Sequence, residues 1–445
     1  MPPGPPACRG AERFQALVRN PLASFLEGAE RFGDVVRYQY GPFVSIVLSG
    51  PEPIVEAFVR NHARYKKSRS YDRLRFILGE GLVASEGDFW KRQRRLSQPA
   101  FHRKRVAALA DTMARCTGNL VARWSKASGD AWRSVDLLEE MTRLTLRIVG
   151  HTMFSTELSE DAGALGPAIS VALSVATQTV EGAARMESEN DARRLSMAAA
   201  QAELHGAIDR IIAERRADPR DRGDLLSMLM AAEDVDTHER MSDVQLRNEV
   251  LTTFLAGHET IANAMCWTFK LLTEHPDAAE RVVEEVVAHL GERAPSFEDA
   301  AALTFTDMVL RESMRLFPPV WCIEREALVD DTIAGFHVPA GATVAACPWT
   351  LHRNPDLWDA PEMFDPSRFT PARSEGRHRY AYIPFGVGPR TCIGTLFAML
   401  EAKVILSMVL RAFEVDVESP ASIGTDPGIS LRPLGGMRAR VRRRG

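Results

Sequence analysis

The stretch that most constrains this chain is Phe385-Gly386-Val387-Gly388-Pro389-Arg390-Thr391-Cys392-Ile393-Gly394. It sets one cysteine in a glycine-rich turn just before an apolar helical run. Gly386, Gly388 and Gly394 admit backbone angles and close approaches that a Cβ would block. The amides of such a loop can point at the sulfur and hold it as a thiolate. A thiolate two residues after an arginine suits a haem iron with a carboxylate nearby to anchor. The alternative is an ordinary buried cysteine beside a tight turn, the usual fate of a lone Cys.

A cofactor of that size needs a large core. The chain has 445 residues, 45% hydrophobic and 26% charged, which allows one. Length alone suggests two or three domains, a soft prior. The net charge of −4 exerts no global pull toward nucleic acid or acidic membranes. Cys8, Cys116, Cys266, Cys322, Cys347 and Cys392 are scattered without a CxxC pair, so neither a zinc site nor a disulfide framework is suggested, and a reducing cytoplasm fits best. The Pro-rich segment 1–10 has no basic region followed by an apolar run, so it is not a signal peptide. No run of about 18 apolar residues is present to span a membrane.

Periodicity predicts a mainly helical body with small peripheral sheets. Val35–Tyr38 and Val44–Leu48 read as a hairpin, with further strands over Ile333–Val344 and in the tail Ile429–Val441, which should fold back at Gly435-Gly436. The last arginines, Arg438 to Arg444, read as a frayed terminus. The longest helix should start after Ser242, where Gln245 completes a capping box, and run to about Glu274 before Pro276. At roughly 1.5 Å per residue that is about 50 Å, enough to cross the protein.

Inside that helix lies Ala256-Gly257-His258-Glu259-Thr260. Glycine in mid-helix costs about 1 kcal/mol relative to alanine. The small pair Ala256-Gly257 would let a flat ring and dioxygen approach the backbone. Thr260 can turn its hydroxyl into the groove or back to a carbonyl one turn earlier. Glu259 supplies a proton-exchanging carboxylate, and His258 packs or faces solvent. Further on, Glu312 and Arg315 share a helix face in an apolar context, and a buried pair of this kind needs extra partners. Trp90 and Arg94, four apart on a helix, are two donors suited to a carboxylate. From Lys91 to Arg105 there are seven basic residues and no acid.

These motifs together resemble the cytochrome P-450 family. The loop 385–394 matches its haem-binding signature at every fixed position, and Ala256–Thr260 is similar to its oxygen-activation motif. The resemblance runs from about Phe32 to Val441 with the motifs in family order. It implies one domain over 1–445 with the family's mainly α fold, and haem b held by the Cys392 thiolate. It implies that Phe385, Gly394, Ala256 and Gly257 border the haem and that Trp90, Arg94, Arg325 and Arg390 hold its propionates. Thr260 would position oxygen and water, Glu259 would relay protons, and Arg368 would close a network with Glu312 and Arg315.

The implied activity is that of a bacterial-type haem-thiolate monooxygenase, cytoplasmic and monomeric, hydroxylating or epoxidising an apolar small molecule. No GxGxxG unit in a βαβ context and no cysteine cluster occurs, so electrons from NAD(P)H should arrive through a ferredoxin or flavodoxin with its reductase. The basic stretch would dock that donor, Arg92 and Arg95 included. Val83, Phe254, Leu255, Val320, Trp321, Ile323 and Leu434 are expected in the pocket wall, with 163–215 as its roof. A valine at 83 leaves room for bulky substrates: fatty acids, terpenoids, steroids and macrocycles stay open. Other readings are a haem peroxygenase or isomerase, a non-catalytic haem protein that binds a ligand, and a helical binding protein without haem.

Overall fold

The computed structural model of the protein describes residues 1–7, 20–128, 131–155 and 191–444. The helices that position the site are α1 (Gly87–Ser97), α2 (Ala110–Ser128), α3 (Leu137–Phe154), α4 (Asp243–Glu274), α5 (Thr304–Leu316) and α6 (Thr395–Ala412). Most of the expected roof, residues 163–190, lies outside the described residues.

Helix α4 starts and stops where the sequence dictates. Ser242 Oγ accepts from the Gln245 amide, and Gln245 Oε1 accepts from the Ser242 amide. His275 then leaves helical geometry, and Pro276 opens the next helix at a position where its missing N–H costs nothing. From Ile261 to Leu272 every residue of α4 is buried. A helix buried all round lies inside a large core, and α3, α5 and α6 pack against it. Trp124, Met141, Ile148, Met265, Trp267 and Leu406 lie in that core.

A five-stranded sheet flanks the body. It contains β1 (Val35–Tyr40), β2 (Phe43–Leu48), β3 (Tyr65–Lys67), β4 (Ile323–Ala327) and β5 (Thr343–Ala346), in the order β1-β2-β5-β4-β3. The expected hairpin is β1–β2, with Val35 opposite Leu48.

The tail departs from expectation. Gly435 and Gly436 do turn the chain, at φ +78° and +89°. The two arms do not pair with each other, however. Leu431–Pro433 pairs with Thr425–Pro427, while Arg438–Arg443 enters a separate sheet between Arg133–Asp136 and Phe413–Val417. Nor is the basic run frayed. Alternate residues Ala439 and Val441 are fully buried, Arg440 and Arg442 pair with Asp416 and Glu414, and both guanidiniums lie over the Trp132 ring. Period-two alternation outweighs the charge.

Candidate active site

The loop before α6 is a tight turn held by its own backbone. The Cys392 amide donates to the Phe385 carbonyl at 2.8 Å. Gly386 and Gly388 sit at φ +78° and +72°. At Gly388 a Cβ would fall 2.2 Å from the Phe58 carbonyl oxygen, so glycine is required there on two counts. Cys392 is accessible to solvent although protein crowds it on most sides. Burial raises its thiol above the ordinary value, while the Gly394 amide, Arg94 and the Thr395 hydroxyl pull the other way. An anionic sulfur there is favoured by these donors and needs a cation in front of it.

Beside the loop is a cluster of cations. Lys67 on β3 stands opposite Arg325 on β4. Desolvation first, then Arg325 and Arg390, push the Lys67 ammonium well below its usual value, against the pull of Glu86. Arg390 is lowered to about 10, chiefly by burial. Arg390 donates to the Ser85 carbonyl at 2.7 Å, pairs with Glu86, and lies 4.0 Å over the Trp90 ring. Arg325 is 7% exposed, donates to the Glu324 carbonyl at 2.7 Å and lies over Phe58. Crowded, poorly solvated cations of this kind call for anions, and a ligand with two carboxylates fits. The two propionates of haem are such a ligand.

Arg94 reaches the cysteine loop itself. Its Nη1 donates to the Thr391 carbonyl at 2.9 Å, so it braces the cysteine loop from α1. Trp90, one turn earlier, forms the platform under Arg390.

Half-way along α4 an accessible strip interrupts the buried helix: Ala256 is exposed, and Gly257, Glu259 and Thr260 are partly so. Thr260 takes the back-bonded rotamer, its hydroxyl donating to the Ala256 carbonyl at 2.9 Å. Glu259 Oε1 accepts from Ser430 Oγ at 2.8 Å, and Ser430 Oγ accepts from Asn263 Nδ2 at 2.9 Å. Burial raises the Glu259 carboxyl; Ser430 and Arg432 oppose this. Gly257 also has a packing role. A Cβ on it would meet Val149 Cγ2 at 3.1 Å, so its small size lets α3 close on α4. His258 is fully buried, with Nδ1 2.8 Å from the Phe254 carbonyl and burial holding the ring neutral.

The Glu312 network is present and buried. Arg315 makes a fork on Glu312 at 2.7 and 2.8 Å, and Arg368 Nε reaches the same carboxylate at 3.2 Å. The carbonyls of His352, Pro361 and Met363 take up the remaining Arg315 donors.

The family model described as Cytochrome P450 matches residues 2–437. The chain belongs to the cytochrome P450 family. A solved P450 heme domain, described as cytochrome P450DA, superposes with a TM-score of 0.90 at 27% identity, covering 100% of this chain and 98% of that one. Among curated relatives, cyclooctatin synthase of Streptomyces melanosporofaciens is 36% identical over 93% of this chain and 90% of its own length. Pentalenene oxygenase of Streptomyces avermitilis is 32% identical over 92% and 89%. The protein is therefore a haem b monooxygenase of apolar substrates, with electrons supplied by redox partners. Among the described residues no helix is long and apolar enough to cross a membrane.

Three features of this P450 lay outside the sequence reading. Lys67 sits in a three-residue strand with no motif around it, and only its pairing with Arg325 brings it to the cluster. Ser430 is 171 residues from Glu259. Glu249 on α4 is buried, accepting from Gln93 Nε2 and the Leu82 amide, both at 3.1 Å. Of the expected wall residues, Trp321 packs with Phe25 and donates to the Gly428 carbonyl, and Leu434 is exposed. Arg92 and Arg95 are not free for docking, since Asp234 faces both and Glu239 and Asp236 take one each.

Proposed function

We propose that this P450, one domain over 1–445, inserts an oxygen atom from O2 into a carbocyclic terpenoid, with Cys392 as the protein ligand to iron. The observation that carries the reading is the meeting of an accessible cysteine loop with the Lys67–Arg325–Arg390 cluster. When bound there, haem b supplies the oxidation, which consumes two electrons and two protons. Arg325, Arg390 and Lys67 would take the propionates, with Trp90 as the platform beneath Arg390. Arg94 and the Gly394 amide would steady the Cys392 sulfur, with Phe385 and Gly394 shaping the turn.

On α4, Ala256 leaves the strip open. Thr260 Oγ1 spends its proton on the Ala256 carbonyl, so its lone pairs are left to accept from a water in the strip. Glu259, raised by burial and tethered to Ser430, is suited to hand on a proton. The terpenoid assignment rests on the relatives, whose names specify cyclooctat-9-en-7-ol and pentalenene as substrates. A reducing cytoplasm suits the scattered thiols, and an acidic ferredoxin or flavodoxin suits the exposed Lys91, His102, Lys104 and Arg105, which line a groove beside Trp90 and Arg94.

The test is a ligand-induced spin-shift screen of the purified holoprotein with carbocyclic terpenes, fatty acids and macrolides. Terpenes should give saturable shifts; a response confined to fatty acids or macrolides overturns the substrate class. Cys392→Ser should lose the red-shifted Soret band of the reduced carbon monoxide adduct.

A further inference from the structure

One buried carboxylate outside the accessible strip ties three elements together. Residues 79–85 lie directly on α4, and two glycines allow that close approach. A Cβ at Gly79 would fall 2.4 Å from Asn248 Oδ1, and one at Gly81 would fall 2.5 Å from the Asn248 carbonyl oxygen. The Gly81 carbonyl accepts from the amides of Ala84 and Ser85, both at 2.9 Å, which closes a turn. The Leu82 amide lies inside this turn and donates outward, to Glu249 Oε2 at 3.1 Å. Glu249 Oε1 accepts from Gln93 Nε2, also at 3.1 Å, and Gln93 is fully buried on α1.

The turn that Glu249 holds is shared by two parts of the site. Val83, next to Leu82, is partly buried against the core. Just beyond, the Ser85 carbonyl accepts from Arg390 Nη1 at 2.7 Å, and Glu86 pairs with the same guanidinium and accepts from the Lys67 amide at 2.6 Å. One end of the turn is thus anchored at the cation cluster, and the other, at Leu82, by Glu249. Along α4, Glu249 lies two turns before Ala256 on the same face, about 10 Å from it. Its bonds go to the turn and to α1, and both donors are neutral amides. The charged groups on the elements around it are engaged elsewhere: Glu80 with Arg75, Glu86 with Arg390, Arg92 and Arg95 with Asp234, Arg94 with the Thr391 carbonyl, and Arg247 with Asp209. His205 bonds to the Ile77 carbonyl. An ionised acceptor grips such donors about twice as strongly as a neutral one.

We propose that Glu249 is a positioning residue for substrate selection: by holding the Leu82 amide it presets Val83 as a fixed wall of the substrate pocket. The inference rests on the pocket reading above, in which Val83 is a wall residue of a haem-bearing cavity. A preset wall costs a bulky ligand no ordering on binding, whereas a loose one does. A ligand too small to reach the wall is indifferent to it. The grip follows the charge. Burial raises the Glu249 carboxyl to about 7. Above that value both oxygens accept fully. Below it one oxygen carries a proton, and one of the two donors is poorly answered. Affinity for a bulky ligand should therefore rise as pH rises through about 7.

The probes are methyl isocyanide and adamantyl isocyanide, iron ligands that do not titrate in this range and differ in bulk, read by the Soret shift of the ferric holoprotein. In the wild type the adamantyl dissociation constant should fall about fivefold from about pH 6 to about pH 8, with the methyl constant unchanged. In Glu249→Gln, whose amide oxygen can answer one donor only, the adamantyl constant should stay at the wild-type acid value across the range. In a Val83→Ala background, Glu249→Gln should make no further difference, because the wall through which Glu249 acts is gone. Hydrogen exchange at the Leu82 amide, followed at about pH 8, should be faster in Glu249→Gln, a readout that needs no haem ligand. A wild-type adamantyl constant that does not change with pH overturns the proposal whether or not the variant folds. So does a response that moves both ligands equally, or one retained in Glu249→Gln. Failure of both isocyanides to shift the Soret band overturns the haem reading and the proposal with it.

Discussion

Thr260 and Glu259 are neighbours in sequence with different attachments. Thr260 is tied within its own helix through Ala256, and Glu259 is tied across to Ser430. Their loss should therefore have different effects. Thr260→Ala removes the hydroxyl to which we assign the positioning of water in the strip and should leave electron delivery intact. With redox partners and a substrate that shifts the spin state, it should consume NAD(P)H at a comparable rate but release mostly hydrogen peroxide. The ratio of product formed to NAD(P)H consumed measures this, and a fully coupled variant would assign positioning to another group. Glu259→Gln removes the exchangeable proton and should slow turnover itself, by about 10²–10⁴-fold, as losing a positioned proton-transfer group does. Both residues were legible in the sequence because the pentapeptide is local. Ser430 was not, because its contact depends on how the tail crosses α4. Gly257 was legible as a constraint, and only the structure shows Val149 behind it.

Between elements, buried charge does the joining. Glu249 links α4 to Gln93 on α1 and to the Leu82 amide. Burial raises it from 4.5 to about 7. Because the folded value is the higher one, the carboxyl carries no penalty below about pH 4.5. The penalty accrues as pH rises through the window from 4.5 to 7 and is complete above it, at about 3 kcal/mol. Glu249→Gln should remove that slope. Its stability advantage over wild type should be absent near pH 4.5 and grow to its full size by about pH 7, read from denaturant midpoints across the range. A constant difference at all pH values would show that Glu249 is not the titrating group. The opposite case is Glu312, whose charge is fully answered by Arg315, Arg368 and the Asp365 amide. Glu312→Ala leaves two buried guanidiniums without their carboxylate and should cost roughly 3–5 kcal/mol. Little soluble holoprotein should result, as measured by the ratio of Soret to protein absorbance. The Glu312–Arg315 spacing was readable as a helix-face pair, and the partner carbonyls at 352–363 were not, since irregular chain carries no period.

Over the whole molecule, the helical body, the length of α4 and the β1–β2 hairpin followed from periodicity and capping, which are local signals. The pairing of the tail strands did not, because alternation identifies a strand without naming its partner. The basic stretch shows the same limit in its consequences for electron delivery. Seven cations in sequence suggested one docking face, but the fold divides them. Arg92 and Arg95 turn to Asp234, whose carboxyl Arg95 and the Asp236 and Thr237 amides hold down at about 2, and Arg94 braces Thr391. Lys104 and Arg105 are exposed, and no carboxylate pairs with them among the described residues. An acidic donor should therefore be steered by Lys104 and Arg105 with His102 and Lys91. Lys104→Glu combined with Arg105→Glu should slow haem reduction by ferredoxin or flavodoxin in stopped flow while leaving the spectrum and stability unchanged. Added salt should slow the wild type and have less effect on the variant, because a Debye length of about 10 Å at 0.1 M already screens exposed charges. Reversing Arg92 and Arg95 should instead lower the thermal midpoint, since each new carboxylate would face Asp234. If the Lys104 and Arg105 reversal leaves reduction and its salt dependence untouched, the donor docks away from this groove.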